Sequence, residues 1–310
     1  MPLLTLVAQR GSQVLILGLL IGLFIPQIAN LFRPWLSEMV AVLLFLAFLR
    51  MQLGDLRNSL IEIPKTLILV ILLQLILPLF VLLIAWTGEW LAMPVVVALV
   101  FMLSAPSIVG SANICLLLGH DPKHAILLMV AGTALLPLTV LPIFWMLPGL
   151  GNVDDVIIAA GRLFVLILVS AVLAIAVRKV FFPAGLSRVF SSIDGLSAIA
   201  LALFVIALMP ALADAAIRDP QTALSWLAFA VVVNIGMQIM AYFMARQFGT
   251  HEKSVAIGVV AGNRNIALFL ASLGNDVMAP ILVFIACYQI PMYLTPLLMR
   301  RMYTQVTKID

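Results

Sequence analysis

The chain has 310 residues, of which 65% are hydrophobic and only 10% are charged. Soluble domains carry roughly 25% charged residues, so this composition excludes an ordinary soluble protein and predicts an integral membrane protein. The formal net charge of +4 is scattered through short segments between apolar runs, which excludes a nucleic-acid-binding patch and is typical of a protein oriented in a lipid bilayer.

Long apolar runs follow one another along the sequence and leave no polar block large enough for a soluble domain. Runs of about 18 to 25 residues can cross the hydrocarbon core as helices, which pair their own backbone groups there. The start of the chain lacks a signal-peptide cleavage pattern, so we expect the first apolar run to be retained. We predict one all-α membrane domain over residues 1–310 with ten spans, at about 13–31, 36–53, 66–86, 92–118, 123–147, 156–177, 195–213, 222–245, 253–273 and 277–299.

Basic residues between these spans are distributed unevenly between the two sides of the membrane. With both termini on one side, that side holds thirteen Lys and Arg residues and the other side holds three, while Arg264 lies inside a span. The positive-inside rule then places both termini in the cytoplasm, in a multi-pass protein of the cell membrane. The thirteen are Arg10, Arg50, Arg57, Lys65, Lys123, Arg178, Lys179, Arg188, Arg246, Lys253, Arg300, Arg301 and Lys308, and the three are Arg33, Arg162 and Arg218.

The fourth and ninth predicted spans are both interrupted, at SAPSIVGSANI and GVVAGNRNIAL, which contain Pro106, Gly110 and Gly262. Proline removes a backbone donor and glycine lowers the cost of leaving helical geometry, so we predict two broken helices. The alternative, that these residues only kink their helices, accounts for either interruption alone but not for the matched pair. Because five spans invert the orientation of each half, we predict two inverted repeats, 1–150 and 151–310, as in many secondary transporters.

A helix break at membrane depth is a candidate binding site, because its unpaired backbone groups are tolerated only where protein or water covers them. The helix that restarts after each break presents N-terminal amides, which attract anions. Here these amides lie around Ser111 and Asn113 and around Asn263 and Asn265, and the same side chains, with Ser107, can add hydrogen bonds. We therefore predict a small organic anion as the ligand.

Arg264 is the one basic residue near the centre of a predicted span, and no acidic residue lies in a span core to pair with it. An arginine at the centre of a span costs roughly 2.5 to 3.5 kcal/mol on insertion scales. Its guanidinium suits a carboxylate or a sulfonate. Two compatible roles follow: Arg264 binds the anionic substrate, or it pins the broken helix by donating to carbonyls of the crossing partner.

Other polar residues give weaker indications. Gln74 and Gln289 lie inside spans, close to prolines, and are predicted either to join helices or to line a cavity. His120 and His124 in GHDPKH suggest a metal site, but their short loop offers no third histidine or cysteine, so we predict neither a metal nor another cofactor. The sequence contains no catalytic motif, and we do not predict an enzyme.

Four stretches occur in a distinctive order: FLRMQLGDL at the end of the second span, LLQLILP in the third, PSIVGSANICLLLG in the fourth and AGNRNIALFLA in the ninth. Together they resemble the bile acid:sodium symporter family over nearly the whole chain. The resemblance implies a panel domain of spans 1, 2, 6 and 7 and a core domain of spans 3 to 5 and 8 to 10, with spans 4 and 9 unwound and crossing. It also implies alternating-access transport of an organic anion, typically with sodium.

By position, the resemblance also implies site residues. Substrate contacts fall on Ser111, Asn113, Asn265 and Gln289, and of the sodium ligands Gln74 and Asn113 are kept, with Thr133 as a further candidate.

The chain departs from the family where sodium binds. Sodium-coupled members have a glutamate two residues before the glycine that matches Gly262 and a glutamine two residues after it, where this chain has Val260 and Arg264. Ala112 likewise replaces a serine in the fourth span. A site that has lost its carboxylate and gained a guanidinium is a poor sodium site, so we expect Arg264 to hold the crossing helices in place of the ion and transport to be sodium-independent.

Two alternatives stand beside the anion transporter. Arsenite efflux in the same superfamily uses a cysteine in the fourth span, near Cys115, although it also expects an acidic residue in the ninth. A channel or a receptor that kept the fold without transport is compatible with Val260 and Arg264. Cys115 and Cys287 otherwise behave as small buried hydrophobes.

Overall fold

The computed structural model describes residues 2–50, 62–147, 150, 152–182, 189–273 and 275–304. Within these ranges the regular elements are helices, which confirms the all-α class, and one isolated antiparallel bridge joins two connections. Numbered in chain order, the α-helices are α1 (Pro2–Gln9), α2 (Gly11–Phe24), α3 (Pro26–Phe32), α4 (Leu36–Arg50), α5 (Ile63–Ile71), α6 (Leu77–Thr87), α7 (Pro94–Ser104), α8 (Ser111–Leu117), α9 (Lys123–Met146), α10 (Val153–Phe181), α11 (Phe190–Leu208), α12 (Pro210–Arg218), α13 (Pro220–Arg246), α14 (His251–Gly262), α15 (Ala267–Leu270), α16 (Asn275–Met278), α17 (Leu282–Leu298) and α18 (Arg300–Thr304).

Seven helical segments of the described chain are long and apolar enough to cross a membrane, as in a multi-pass membrane protein. They are Pro26–Arg50, Ile63–Thr87, Lys123–Met146, Val153–Phe181, Phe190–Arg218, Pro220–Arg246 and Ala279–Thr304. Counting α1 and α2, which meet at a sharp bend, as one segment adds an eighth. The fourth and ninth predicted spans each contain two shorter helices, α7 with α8 and α14 with α15.

The helices near the N-terminus begin and end earlier than the sequence predicts. The first span is predicted over 13–31, but α2 ends at Phe24 and a new segment begins at Pro26. Ile25 leaves helical geometry, with φ −125° and ψ 74°, because the residue before a proline is driven out of the α region. Pro26 then starts α3, where its missing N–H costs nothing. Of the FLRMQLGDL stretch, the part after Arg50 lies outside the described residues.

One group of helices consists of α1, α2, α4, α10 and α11. Helix α11 packs against α1, α2 and α4, and α10 packs against α4. At one end of the group Arg178 donates to the carbonyl of Leu49 at 2.6 Å, and Arg50 forms an ion pair with Asp194. These charged side chains connect α4, α10 and α11.

A second group surrounds the two divided segments. Helix α14 packs along α13 and against α9, and α13 packs against α17. The ring of Phe101 on α7 lies 6.0 Å from that of Phe144 on α9 and 5.1 Å from that of Phe269 on α15, measured between centroids. The first half of one divided segment therefore packs against the second half of the other.

Candidate functional site at two helix breaks

The first break separates α7 from α8. Ala105 takes an extended conformation, with φ −67° and ψ 148°, because Pro106 follows it. The helix resumes at Ser111, with Gly110 as its N-cap. Ala105 and Pro106 are buried, so this non-helical backbone is covered by protein.

The second break separates α14 from α15. Asn263 leaves helical geometry, with φ −112° and ψ 87°. Gly262 packs so closely that an added Cβ would clash with Cγ of Gln238 and with the carbonyl oxygen of Asn234. The chain is buried from residue 259 to residue 264, so only a glycine fits at this point of closest approach.

The two breaks run antiparallel and share backbone hydrogen bonds. The amide of Ile108 donates to the carbonyl of Asn263 at 3.0 Å, and the amide of Asn265 donates to the carbonyl of Pro106 at 2.7 Å. Irregular backbone at membrane depth is tolerated where protein pairs its polar groups. Each break thus supplies partners that the other has lost. We call this paired region, residues 105–108 with 261–265, the crossing.

Arg264 lies at the centre of this pairing, opposite Ser107. Its Nε donates to the carbonyl of Ala261 at 2.9 Å, near the end of α14, and its Nη1 donates to the carbonyl of Ala105 at 3.0 Å, just after the end of α7. The C-terminal ends of helices carry partial negative charge, so both half-helices stabilise the guanidinium. Because Arg264 is only 3% exposed, these carbonyls are its main electrostatic partners.

A layer of buried polar side chains from α13 and α17 supports the second break. The carbonyl of Gly262 accepts hydrogen bonds from the side-chain amide of Asn234 and from the hydroxyl of Tyr288. The side-chain oxygen of Asn263 accepts from Thr295 at 3.0 Å and from Asn234 at 3.3 Å. The side chain of Asn263 is therefore bonded to α13 and α17, and it stabilises the break.

Sequence reasoning missed this layer, although a signal for it exists. Asn234 and Gln238 lie four residues apart in the apolar stretch NIGMQIM, which places them on one face of a helix. In the structure Gln238 donates to the side-chain oxygen of Asn234 at 2.8 Å. Paired amides inside an apolar helix indicate a hydrogen-bonded contact with another segment, and here that segment contains the second break.

Two buried polar atoms near the crossing have no hydrogen-bond partner in the described part of the chain: Nη2 of Arg264 and Oγ of Ser111. Nearly all buried polar groups in folded proteins are paired. A guanidinium N–H without a partner is a strong donor for an anionic oxygen. The crossing therefore retains hydrogen-bonding capacity for a ligand.

The other predicted substrate residues lie apart from these two atoms. Asn113 is exposed on α8, and its side chain has no hydrogen bond to the described residues. Asn265 is half-buried and joins the crossing through its backbone. Gln289 is buried, but its side chain donates within its own helix, to the carbonyl of Ile285 at 3.3 Å.

The residues of the possible ion site are placed around Gln74, which lies in a π-helical turn at Leu72–Ile76. Such turns are frequent at functional sites. The side-chain amide of Gln74 donates to the carbonyl of Gly132 and to the hydroxyl of Thr139, both at 3.0 Å. Thr133 is buried beside Gly132. Gln74 thus links the continuous segment Ile63–Thr87 to α9.

The GHDPKH loop lies where charged side chains from the two halves of the chain meet. Nδ1 of His120 lies 2.9 Å from a carboxylate oxygen of Glu252, and Nε2 of His124 lies 2.8 Å from one of Glu62. Lys253 donates to the other oxygen of Glu62 at 3.0 Å. The hydrogen bond from Lys253 is the main cause that lowers the pKa of Glu62, and the charge of His124 acts in the same direction.

No protein-family model matches this sequence, and no curated protein matches it. What distinguishes the described structure is that two broken helices pair through their backbones around a buried arginine.

The close packing at Gly262 gives a matched pair of substitutions. Gly262→Ala places a methyl group against α13 and should destabilise the protein by about 1 to 3 kcal/mol, as overpacking does. Gly236→Ala, on α13 itself, meets no atom within 4 Å and should leave stability unchanged or slightly raised. Thermal unfolding of the purified protein in detergent measures both effects, and equal unfolding midpoints would contradict the close approach at Gly262.

Proposed function

We propose that the protein is a secondary transporter of a small organic anion, of carboxylate or sulfonate type, that works by alternating access in the cell membrane. The observation that carries this proposal is the buried crossing of two broken helices around Arg264, whose guanidinium keeps both N–H groups of Nη2 without a partner among the described residues. Broken helices that meet inside a membrane bundle commonly form the substrate sites of secondary transporters. We also propose that the chain is a divergent member of the bile acid:sodium symporter family.

The proposed architecture has ten membrane spans in two inverted repeats. Seven spans correspond to the long apolar segments, and three correspond to the divided pairs α1–α2, α7–α8 and α14–α15. The group of α1, α2, α4, α10 and α11 corresponds to the panel, and the group around the breaks corresponds to the core. Movement of the core against the panel would expose the crossing to one side of the membrane at a time.

The proposed anion site uses Arg264 and Ser111 together. A carboxylate accepts paired N–H donors from a guanidinium, and a hydroxyl can add a third hydrogen bond. Asn265, which is half-buried beside the crossing, is a further polar group able to reach a ligand there. Because Arg264 is almost fully buried, this conformation is closed around the site, and binding requires the surrounding helices to separate.

Sodium independence follows from what replaces the ion. Arg264 donates to carbonyls at both breaks, and carbonyl oxygens are groups that would otherwise suit a hard cation. Val260 supplies no carboxylate nearby. We infer that the guanidinium holds the crossing permanently and that transport proceeds by uniport, by exchange or with protons. Cys115, which arsenite efflux would use, packs in an apolar cluster with Ile114 and Val259.

Reconstitution into liposomes tests this function. Thermal-shift screening of the purified protein with carboxylates and sulfonates identifies a ligand, whose labelled form is then followed in counterflow. We expect saturable counterflow of equal rate with sodium or potassium. Strong stimulation by an inward sodium gradient would contradict sodium independence, and binding without counterflow would favour a receptor of the same fold.

Substitution of Arg264 separates its two roles. Arg264→Gln removes the charge and leaves carbonyls at both breaks without their donor, at about 1 to 3 kcal/mol for each orphaned group. We expect this variant to unfold at lower temperature and to lose counterflow. Arg264→Lys keeps the charge without the planar donors and should retain a small part of the activity.

The matched control is Arg33→Gln, which removes an exposed arginine and should behave as the parent protein. Full transport by Arg264→Gln would remove Arg264 from the mechanism.

The proposed orientation is tested by labelling with a membrane-impermeant maleimide. Cys115 and Cys287 are fully buried, so the parent chain should react little. A cysteine at Phe248, which is 89% exposed between α13 and α14, should react only after the cells are opened, whereas one at Ile217, which is 81% exposed, should react in intact cells. The reverse pattern would invert the proposed topology.

A further inference from the structure

A chain of buried hydrogen bonds leads away from the crossing, toward the end of the molecule that we assign to the cytoplasm. Gln238, which donates to Asn234 behind the second break, also donates to Thr295 at 3.2 Å. Its side-chain oxygen accepts from the hydroxyl of Tyr303 on α18 at 3.2 Å. Gln238 and Tyr303 are fully buried. The second break is thus connected to the C-terminal helix.

Through Tyr303 this connection reaches His251, the first residue of α14. Nε2 of His251 lies 3.0 Å from the carbonyl oxygen of Tyr303, and Nδ1 lies 3.1 Å from the hydroxyl of Tyr242. A carbonyl can only accept, so Nε2 carries the proton and Nδ1 of the neutral ring accepts from Tyr242. The three rings are also in contact, with centroids of Tyr242 at 5.9 Å from His251 and 5.4 Å from Tyr303.

Several charged or titratable groups from different elements surround His251. The ring of His120 lies 5.1 Å away between centroids, and His120 is itself paired with Glu252. Arg246 at the end of α13 faces both His251 and the hydroxyl of Tyr242. Among the described residues this set comprises Tyr242 and Arg246 from α13, His120 and Asp121 from the loop before α9, Glu252 from α14, Tyr303 from α18 and Cys115 from α8.

We propose that His251 is a sensor of cytoplasmic pH, which loosens the helix crossing when its ring takes up a second proton. The proposal rests on the proposed function in two respects only, the cytoplasmic side of this end and the role of the crossing in transport. Its structural basis is independent of both: one titratable ring is bonded to the backbone of Tyr303, and the hydroxyl of Tyr303 is joined by buried hydrogen bonds through Gln238 and Thr295 to Asn263.

Protonation changes both the hydrogen bonds and the charges around His251. A doubly protonated ring has no acceptor, so the hydroxyl of Tyr242 must turn to accept from it. Arg246 repels the new positive charge, whereas Glu252 attracts it. The start of α14 then separates from the end of α13. Because a Cβ added at Gly258 would lie 2.7 Å from the hydroxyl of Tyr303, α14 and Tyr303 are in close contact and must shift together.

The pH window follows from groups that lie outside the predicted spans. Burial lowers the pKa of His251, and His120 lowers it further, so the second proton binds only below the ordinary value of about 6.5. Burial raises the pKa of Glu252, but hydrogen bonds from His120 and from the amide of Asp121 outweigh it, and the net shift is downward. With Glu62 also shifted downward, both glutamates stay ionised while His251 titrates.

Hydrogen exchange of the full-length protein in lipid nanodiscs, without substrate, tests the sensor. The reporters are peptides covering residues 104–112 and 258–268, compared at about pH 7.5 and about pH 5.5 after correction for intrinsic exchange. We expect corrected exchange at the crossing to be about tenfold faster at the lower pH, which corresponds to loss of one buried hydrogen bond. An unchanged rate in the parent protein would overturn the proposal.

Two variants of His251 isolate the titration. His251→Gln keeps a donor for the Tyr303 carbonyl and an acceptor for Tyr242 but cannot titrate, so its crossing should exchange slowly at both pH values. His251→Lys carries a permanent charge and should exchange rapidly at both. A normal pH response in His251→Gln would overturn the proposal even if the protein proves to be a transporter.

Two further variants serve as controls. His124→Gln removes a neighbouring histidine that pairs with Glu62 and does not belong to the hydrogen bonds between His251 and the crossing. This variant should keep the pH response. If the variant lost the pH response, the response would be assigned to His124. Tyr303→Phe removes the bond to Gln238. The crossing should then no longer respond to pH, while the first turn of α14 should still respond.

Discussion

A helix can break inside a lipid bilayer only if the carbonyls and amides that it releases find partners. Here each break supplies part of what the other needs, and Arg264 and neighbouring side chains supply further donors. The paired carbonyls belong to Ala105, Pro106, Ala261, Gly262 and Asn263, whose donors are backbone amides, the guanidinium and the side chains of α13 and α17. The position of the remaining core helices follows from this requirement, because α13 and α17 must pack close enough to donate.

The charge of Arg264 is balanced without an acidic residue from the part of the chain that the structure describes. The ends of α7 and α14 each carry roughly half a negative charge, so together they approach the full charge of one guanidinium. An anion that binds to the N–H groups of Nη2 would add negative charge and compete for the same cation. Its arrival would weaken the hydrogen bonds to Ala105 and Ala261 and thereby loosen the helix ends. In the proposed transporter, binding and helix movement would therefore be coupled through one side chain.

The sequence allows some of this arrangement to be predicted and hides the rest for physical reasons. Apolar run length predicts the long helices, and the polar residues beside Pro106 and Gly262 mark the interruptions, because both signals are local. The pairing of Ile108 with Asn263 is between distant residues and is made by backbone atoms, which leave no pattern in the side chains. Asn113 shows the limit of positional transfer, since it lies on the exposed side of α8 while Ser111, two residues earlier, is buried.

The distance along the chain between the two breaks affects how the protein can be assembled. The guanidinium of Arg264 reaches the carbonyl of Ala105 across 159 residues. At a synthesis rate of about 5 to 20 residues per second, the second break leaves the ribosome about 8 to 30 s after the first. During that interval the first break has none of the partners that the second supplies. Its carbonyls must be covered by water or by the insertion machinery, so release of the first half into lipid has to wait for the second.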